Sequence, residues 1–90
     1  MITAIVLISV TRSKINEIAE ELTEIKGISE VYSVSGDFDI VAMLRVMTNE
    51  DLADIVTKKI TKINGIIKTQ TMLAFMAYSK HDLETMFGLD

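Results

Sequence analysis

Two short stretches carry the residue types that could hold a small polar ligand. Gly36-Asp37-Phe38-Asp39 sets two carboxylates around an aromatic ring, and Thr69-Gln70-Thr71 sets two hydroxyls around an amide. An amino acid presents an ammonium, which needs carboxylate or carbonyl acceptors. It also presents a carboxylate, which needs backbone N–H groups or hydroxyls. Asp37 and Asp39 meet the first need beside Gly36, whose missing Cβ lets a ligand approach the backbone. Thr69 and Thr71 are two residues apart and share one side of a strand. Ser33, Val34 and Gln70 join the candidate set by adjacency. The same residues have a plainer reading. Gly beside Asp is ordinary hairpin chemistry, and threonine is favoured in strands.

Other chemistries find little support. There is no cysteine, which excludes disulfides, thiolate catalysis and cysteine-ligated metals. The single histidine, His81, lies in the polar run Ser79-Lys80-His81-Asp82 and reads as surface, with no nucleophile constellation around it. The glycines at 27, 36, 65 and 88 are too scattered for a phosphate loop or a dinucleotide turn. Asp37 and Asp39 alone offer too few oxygens for magnesium or calcium. No metal or cofactor is therefore expected, and an enzyme is not the leading reading. Nine Lys and Arg against 13 Asp and Glu give a net charge of −4. That leaves no basic excess for phosphates, so direct nucleic-acid binding is not expected. The apolar run Met1 to Val10 is too short to span a membrane and lacks a basic flank or cleavage site. The expected location is the cytoplasm.

The elements that must position these residues come in two copies. Thr23 to Ile28 reads TEIKGI and Thr61 to Ile66 reads TKINGI, an offset of 38 (61 − 23). That offset carries Ile18 to Val56, Leu22 to Ile60, Ile25 to Ile63 and the apolar run 2–10 to 40–48. Each half reads strand, helix, strand. Strands are expected at 2–10, 31–35, 40–47 and 67–78. Ile15, Ile18, Ala19, Leu22 and Ile25 recur at helical spacing, with Ser13 as N-cap and Gly27 just past the end. Leu52, Ile55, Val56, Ile60 and Ile63 form the second stripe, with Thr48 capping, Asp51 three residues on and Gly65 at the end. The order βαββαβ with right-handed crossovers predicts an α+β, ferredoxin-like domain. It has a four-stranded antiparallel sheet and both helices on one face.

The uncovered face is not polar. In the first strand Ala4, Ile8 and Val10 oppose Ile5 and Leu7. In the third Ile40, Ala42, Leu44 and Val46 oppose Val41, Met43 and Met47, and in the fourth Met72, Ala74 and Met76 oppose Leu73, Phe75 and Ala77. Both faces are therefore apolar, and two helices cover only one. At 49% hydrophobic residues and a mean hydropathy of +0.34, a 90-residue chain has more apolar surface than one small core consumes. The second face calls for another subunit. A homodimer packed sheet to sheet, in the manner of a dimeric α/β barrel, is expected. The methionines at 43, 47, 72, 76 and 86 read as core or interface filler.

The run Gly27-Ile28-Ser29-Glu30-Val31-Tyr32-Ser33-Val34-Ser35-Gly36-Asp37-Phe38-Asp39 resembles the effector-binding RAM domain of the Lrp/AsnC transcription regulators. The shared pattern is a helix end, a strand, Gly-Asp-aromatic-Asp and an apolar strand. Asn64-Gly65-Ile66 and Thr69-Gln70-Thr71 are similar to the corresponding parts of the second half. Lys26-Gly27 and Asn64-Gly65 stand where the family has Pro-Gly. The resemblance covers residues 1–78 as one ligand-binding domain and leaves 79–90 as a tail. In that tail Leu83, Met86 and Phe87 would dock through a short helical turn. The chain starts at the first RAM strand, so it looks like a stand-alone RAM protein without a helix-turn-helix domain. The resemblance implies dimers that assemble into tetramers, octamers or decamers, with amino-acid effectors bound between dimers. Without a DNA reader the signal must pass through a partner, for which a full-length Lrp/AsnC regulator is one option. Buffering of a metabolite and modulation of an enzyme are the others. Two other readings stay open. One is an assembly module without ligand. The other is a small dimeric α/β-barrel enzyme, which burial of Arg45 in the third strand would favour.

Overall fold

The computed structural model describes residues 1–80. The expected tail turn with Leu83, Met86 and Phe87 lies outside the described residues. Strand β1 (Ile2–Val10) leads through a 3-10 turn (Arg12–Lys14) into helix α1 (Ile15–Thr23). Strands β2 (Ile28–Ser33) and β3 (Ile40–Val46) follow as a hairpin. Helix α2 (Asn49–Asp54) continues as a π-helical stretch (Ile55–Ile60), and β4 (Ile66–Ala74) closes the domain. The sheet order is β2-β3-β1-β4 with all neighbours antiparallel. This is the ferredoxin-like α+β arrangement that the repeat predicts.

The period-two pattern of β1 and β3 decides which side faces the helices. Ala4, Val6, Ile8 and Val10 stand beside Ile40, Ala42, Leu44 and Val46, and none is more than 7% exposed. Ile18 and Leu22 of α1, with Ile55 and Ile60 of the second helix, cover them and complete one core. Each buried valine, leucine and isoleucine of this core contributes about 1.5–3 kcal/mol.

The strand ends differ from the sequence expectation by a few residues. β2 starts earlier, at Ile28, and stops at Ser33, because the chain then turns through Ser35 to Asp37. β4 stops at Ala74. Ser13 does not cap α1; it sits inside the 3-10 turn, and the helix begins at Ile15 without a side-chain cap. Thr48 does cap α2, its Oγ1 accepting the Asp51 N–H at 3.1 Å.

The second helix departs from the repeat in an informative way. In the first half the buried pair is Ile18 and Leu22, four apart; in the second it is Ile55 and Ile60, five apart. The half-buried Val56 is therefore not the counterpart of Ile18. The offset is 37 (55 − 18) before the π-helical stretch and 38 (60 − 22) after it. A five-residue step in an α-helix would swing Ile60 about 140° off the core-facing stripe. A helix bonded i to i+5 absorbs the extra residue and keeps both isoleucines facing the sheet. The Thr57 and Thr61 hydroxyls donate to the carbonyls of Ala53 and Thr57, each at 2.6 Å, and serve acceptors along the distorted turn.

Candidate functional site

The candidate residues gather at one end of the sheet, in its β2–β3 hairpin and on its edge strand β4. Ser33 ends β2, and Val34, Gly36 and Asp37 belong to the β2–β3 turn, all exposed. Gly36 has φ +115°, a conformation that favours glycine, and nothing lies within 4 Å of where its Cβ would be. The Asp37 side chain has no hydrogen-bond or ion-pair partner among the described residues. Thr69, Gln70 and Thr71 lie on β4, the far edge strand, with β3 and β1 between them and β2. Three strand spacings, roughly 14 Å, separate Ser33 on β2 from Thr69 on β4, whereas the hairpin that follows Ser33 reaches back toward β4 through Phe38. Thr69 and Thr71 pair with Ile8 and Val6, so both hydroxyls face the helix side. Gln70 pairs with Leu7 and faces the open side.

Asp39 differs from Asp37. It is half-buried, and its Oδ2 accepts the Val10 N–H at 2.9 Å. Its own N–H donates to the Ile8 carbonyl and its carbonyl accepts the Val34 N–H, both at 2.9 Å. Asp39 therefore ties β3 to the end of β1 and closes the hairpin.

Two residues outside the candidate set join the edges. Phe38 lies between the two aspartates, and the Lys68 ammonium sits 5.6 Å from its ring centroid. This cation–π contact runs from the hairpin to β4. The alternation of acid and aromatic in the turn was the signal for Phe38; Lys68 had none beyond its place beside Thr69.

The open face has an apolar centre and a polar border. Ile5, Leu7, Val41 and Met43 are half-buried, and Met72 is 39% exposed. None of Met43, Met47, Met72 and Met76 belongs to the buried core. Arg45 is exposed on this face rather than buried, because it alternates with Leu44 and Val46. Glu30 and Tyr32 share the face on β2. The Tyr32 hydroxyl donates to the Glu30 carboxylate. That bond, with the negative charge of Glu30, raises the phenol above its ordinary value. Among the described residues no His, Asp and Glu side chains gather as a metal-ligand set. No helix among them is long and apolar enough to cross a membrane.

Strand order, helix layer and an uncovered apolar face together define a ferredoxin-like domain with one open sheet face. The profile of the Lrp/AsnC ligand binding domain matches residues 3–83, and the chain belongs to that family. The transcriptional regulator LrpA of Pyrococcus horikoshii is 46% identical over 55 residues, which are 61% of this chain and 39% of LrpA. The chain thus spans well under half of that regulator. The crystal structure of TTHA0845 from Thermus thermophilus is 41% identical, with a TM-score of 0.84 over 89% of this chain and all of that one. A feast or famine regulatory protein from M. tuberculosis, solved with L-methionine, shares the fold at 23% identity. Its TM-score is 0.74, over 89% of this chain and 54% of that one.

Proposed function

We propose that this domain is a non-enzymatic effector sensor that binds an amino acid between copies of itself and reports by a change of assembly. One observation carries the reading. Polar candidates left to solvent line both the hairpin, at Ser33 and Asp37, and the edge strand β4, at Gln70 and Thr71. The exposed hairpin and the unpaired edge strand of one copy can enclose an amino acid against a neighbouring copy. Binding would then favour the assembled form and shift the population toward it. The uncovered apolar face supports a homodimer as the building block, and dimers would join at the edges into a tetramer or larger ring. A full-length Lrp/AsnC regulator sharing these surfaces would read the signal. Phe38 and Lys68 would hold the hairpin in position over β4.

The test is thermal unfolding with each of the twenty amino acids at millimolar concentration, run beside a sizing measurement. A ligand at 100 times its Kd stabilises by about 2.7 kcal/mol per site, several degrees for a domain of this size. A shift with a related group of amino acids, together with a change of size, supports the reading. No shift with any of them leaves an assembly module without ligand.

A further inference from the structure

The two halves differ at one notch, at the other end of the sheet from the hairpin. Each helix ends at a glycine with positive φ that abuts the start of the other helix: Gly65 against α1, Gly27 against α2. In the first case the notch is plugged. A Cβ on Gly65 would lie 2.9 Å from Ile18 Cδ1, 3.0 Å from Lys14 Cδ and 3.8 Å from Lys14 Cβ, so the half-buried Lys14 lays its stem across the glycine. The counterpart of Lys14 is four residues before Ile55, which is Asp51. Its side chain is short and exposed, and the three atoms nearest a Cβ on Gly27 belong to Ile55 and Val46, none to Asp51. Beside Gly27 opens a cleft of about 420 Å³.

Mixed charges border an apolar floor there. Gly27, Val46 and Ile55 supply the apolar lining, and Asp51, Asp54, Lys26, Lys59 and Arg45 border it. Asp54 already pairs with Lys58 at 3.3 Å, whereas Asp51, Lys26 and Lys59 make no ion pair among the described residues. Ile55 and Lys59 both come from the π-helical stretch, a distortion that often accompanies a functional site. An ammonium next to Asp51, a carboxylate next to Lys26, Lys59 and Arg45, and an aliphatic stem on Gly27 and Ile55 would complement this lining. The volume suits a small molecule.

We propose that this cleft is a second, separate site that takes a zwitterionic aliphatic amino acid. It stands about 20 Å along the sheet from the hairpin, over the seven residues of β3. It does not rest on the reading of the hairpin.

The experiment is calorimetric titration of the full chain with alanine, valine, leucine, isoleucine and methionine. Asp51→Lys rebuilds the plug of the first half. It should keep the fold, at a small cost for placing a cation in the first turn of α2, and lose one ligand per chain. Lys59→Gln, a change at an exposed position, should weaken that site at least tenfold and carries the test if Asp51→Lys does not fold. N-acetyl-leucinamide, with neither charge, should not bind there. Asp37→Asn should leave this site intact. Binding lost in Asp51→Lys but kept in Asp37→Asn supports the cleft even where the hairpin proves empty. Unchanged stoichiometry and affinity in both Asp51→Lys and Lys59→Gln overturns it, as does the absence of binding by all five amino acids to the parent chain.

Discussion

The carboxylate of Asp39 accepts the Val10 N–H at 2.9 Å in a part-buried setting. Alanine there leaves a backbone donor without its acceptor, at a cost of roughly 1–3 kcal/mol. Asp39→Ala should therefore lower the unfolding temperature by several degrees, while Asp37→Ala, whose exposed side chain makes no hydrogen bond or ion pair among the described residues, should leave it unchanged. Only the second variant then reads ligand binding cleanly, and equal melting of the two would contradict the structural role of Asp39. A second comparison separates backbone strain from packing. Gly27 at φ +102° and Gly36 at φ +115° both disfavour an L side chain, but only at Gly27 would a Cβ meet a buried neighbour, Ile55 Cδ1, at 2.6 Å. Gly36→Ala should cost about 1–2 kcal/mol. Gly27→Ala should add an overpacking cost of roughly 1–3 kcal/mol, measured by chemical denaturation. At this scale the sequence shows residue types plainly. It does not separate Asp37 from Asp39, because that depends on which strand end meets which turn.

The repeat makes strands and helices legible because each half must bury one stripe, and β1 and β3 alternate cleanly. The π-helical stretch is not legible for a physical reason. Leu52, Ile55, Val56, Ile60 and Ile63 satisfy an ordinary helical stripe if Val56 faces inward, and only the core reveals that Ile55 does so. The extra residue predicts its own removal. Deleting Thr57 brings Ile55 and Ile60 to the four-residue spacing of Ile18 and Leu22. It also removes one hydroxyl bond to the Ala53 carbonyl. The shortened chain should fold, with stability within about 2 kcal/mol of the parent, since an α-helix then buries both isoleucines and only a surface hydrogen bond is lost. Deleting Glu20 takes a residue from the regular α1 and swings Leu22 off its stripe. It should cost at least the burial of one leucine, about 2–5 kcal/mol. Circular dichroism and urea denaturation of the two deletions check this, and equal damage by both would mean that the π-helical stretch is not an inserted residue.

For the whole molecule the decisive feature is the second face of the sheet. The helices cover one side, and the other holds Ile5, Leu7, Val41, Met43 and Met72 inside a border that includes Glu30, Arg45, Lys68 and Gln70. Solvent is a poor cover for so contiguous an apolar centre, and a second copy offers the same pattern in reverse under two-fold symmetry. A charge at the centre would be caught between the two sheets, whereas one at the border stays in water. Leu7→Asp or Met43→Asp should therefore convert the protein to a folded monomer. Gln70→Asp, at the edge, should leave the dimer intact. The two central variants alter half-buried positions outside the main core, so their helical signal should persist while their mass by light scattering falls to that of one chain, 10.0 kDa. A parent protein that runs as a monomer at micromolar concentration would refute the face as a dimer surface. It would also remove the dimer as the building block on which ligand-linked assembly depends.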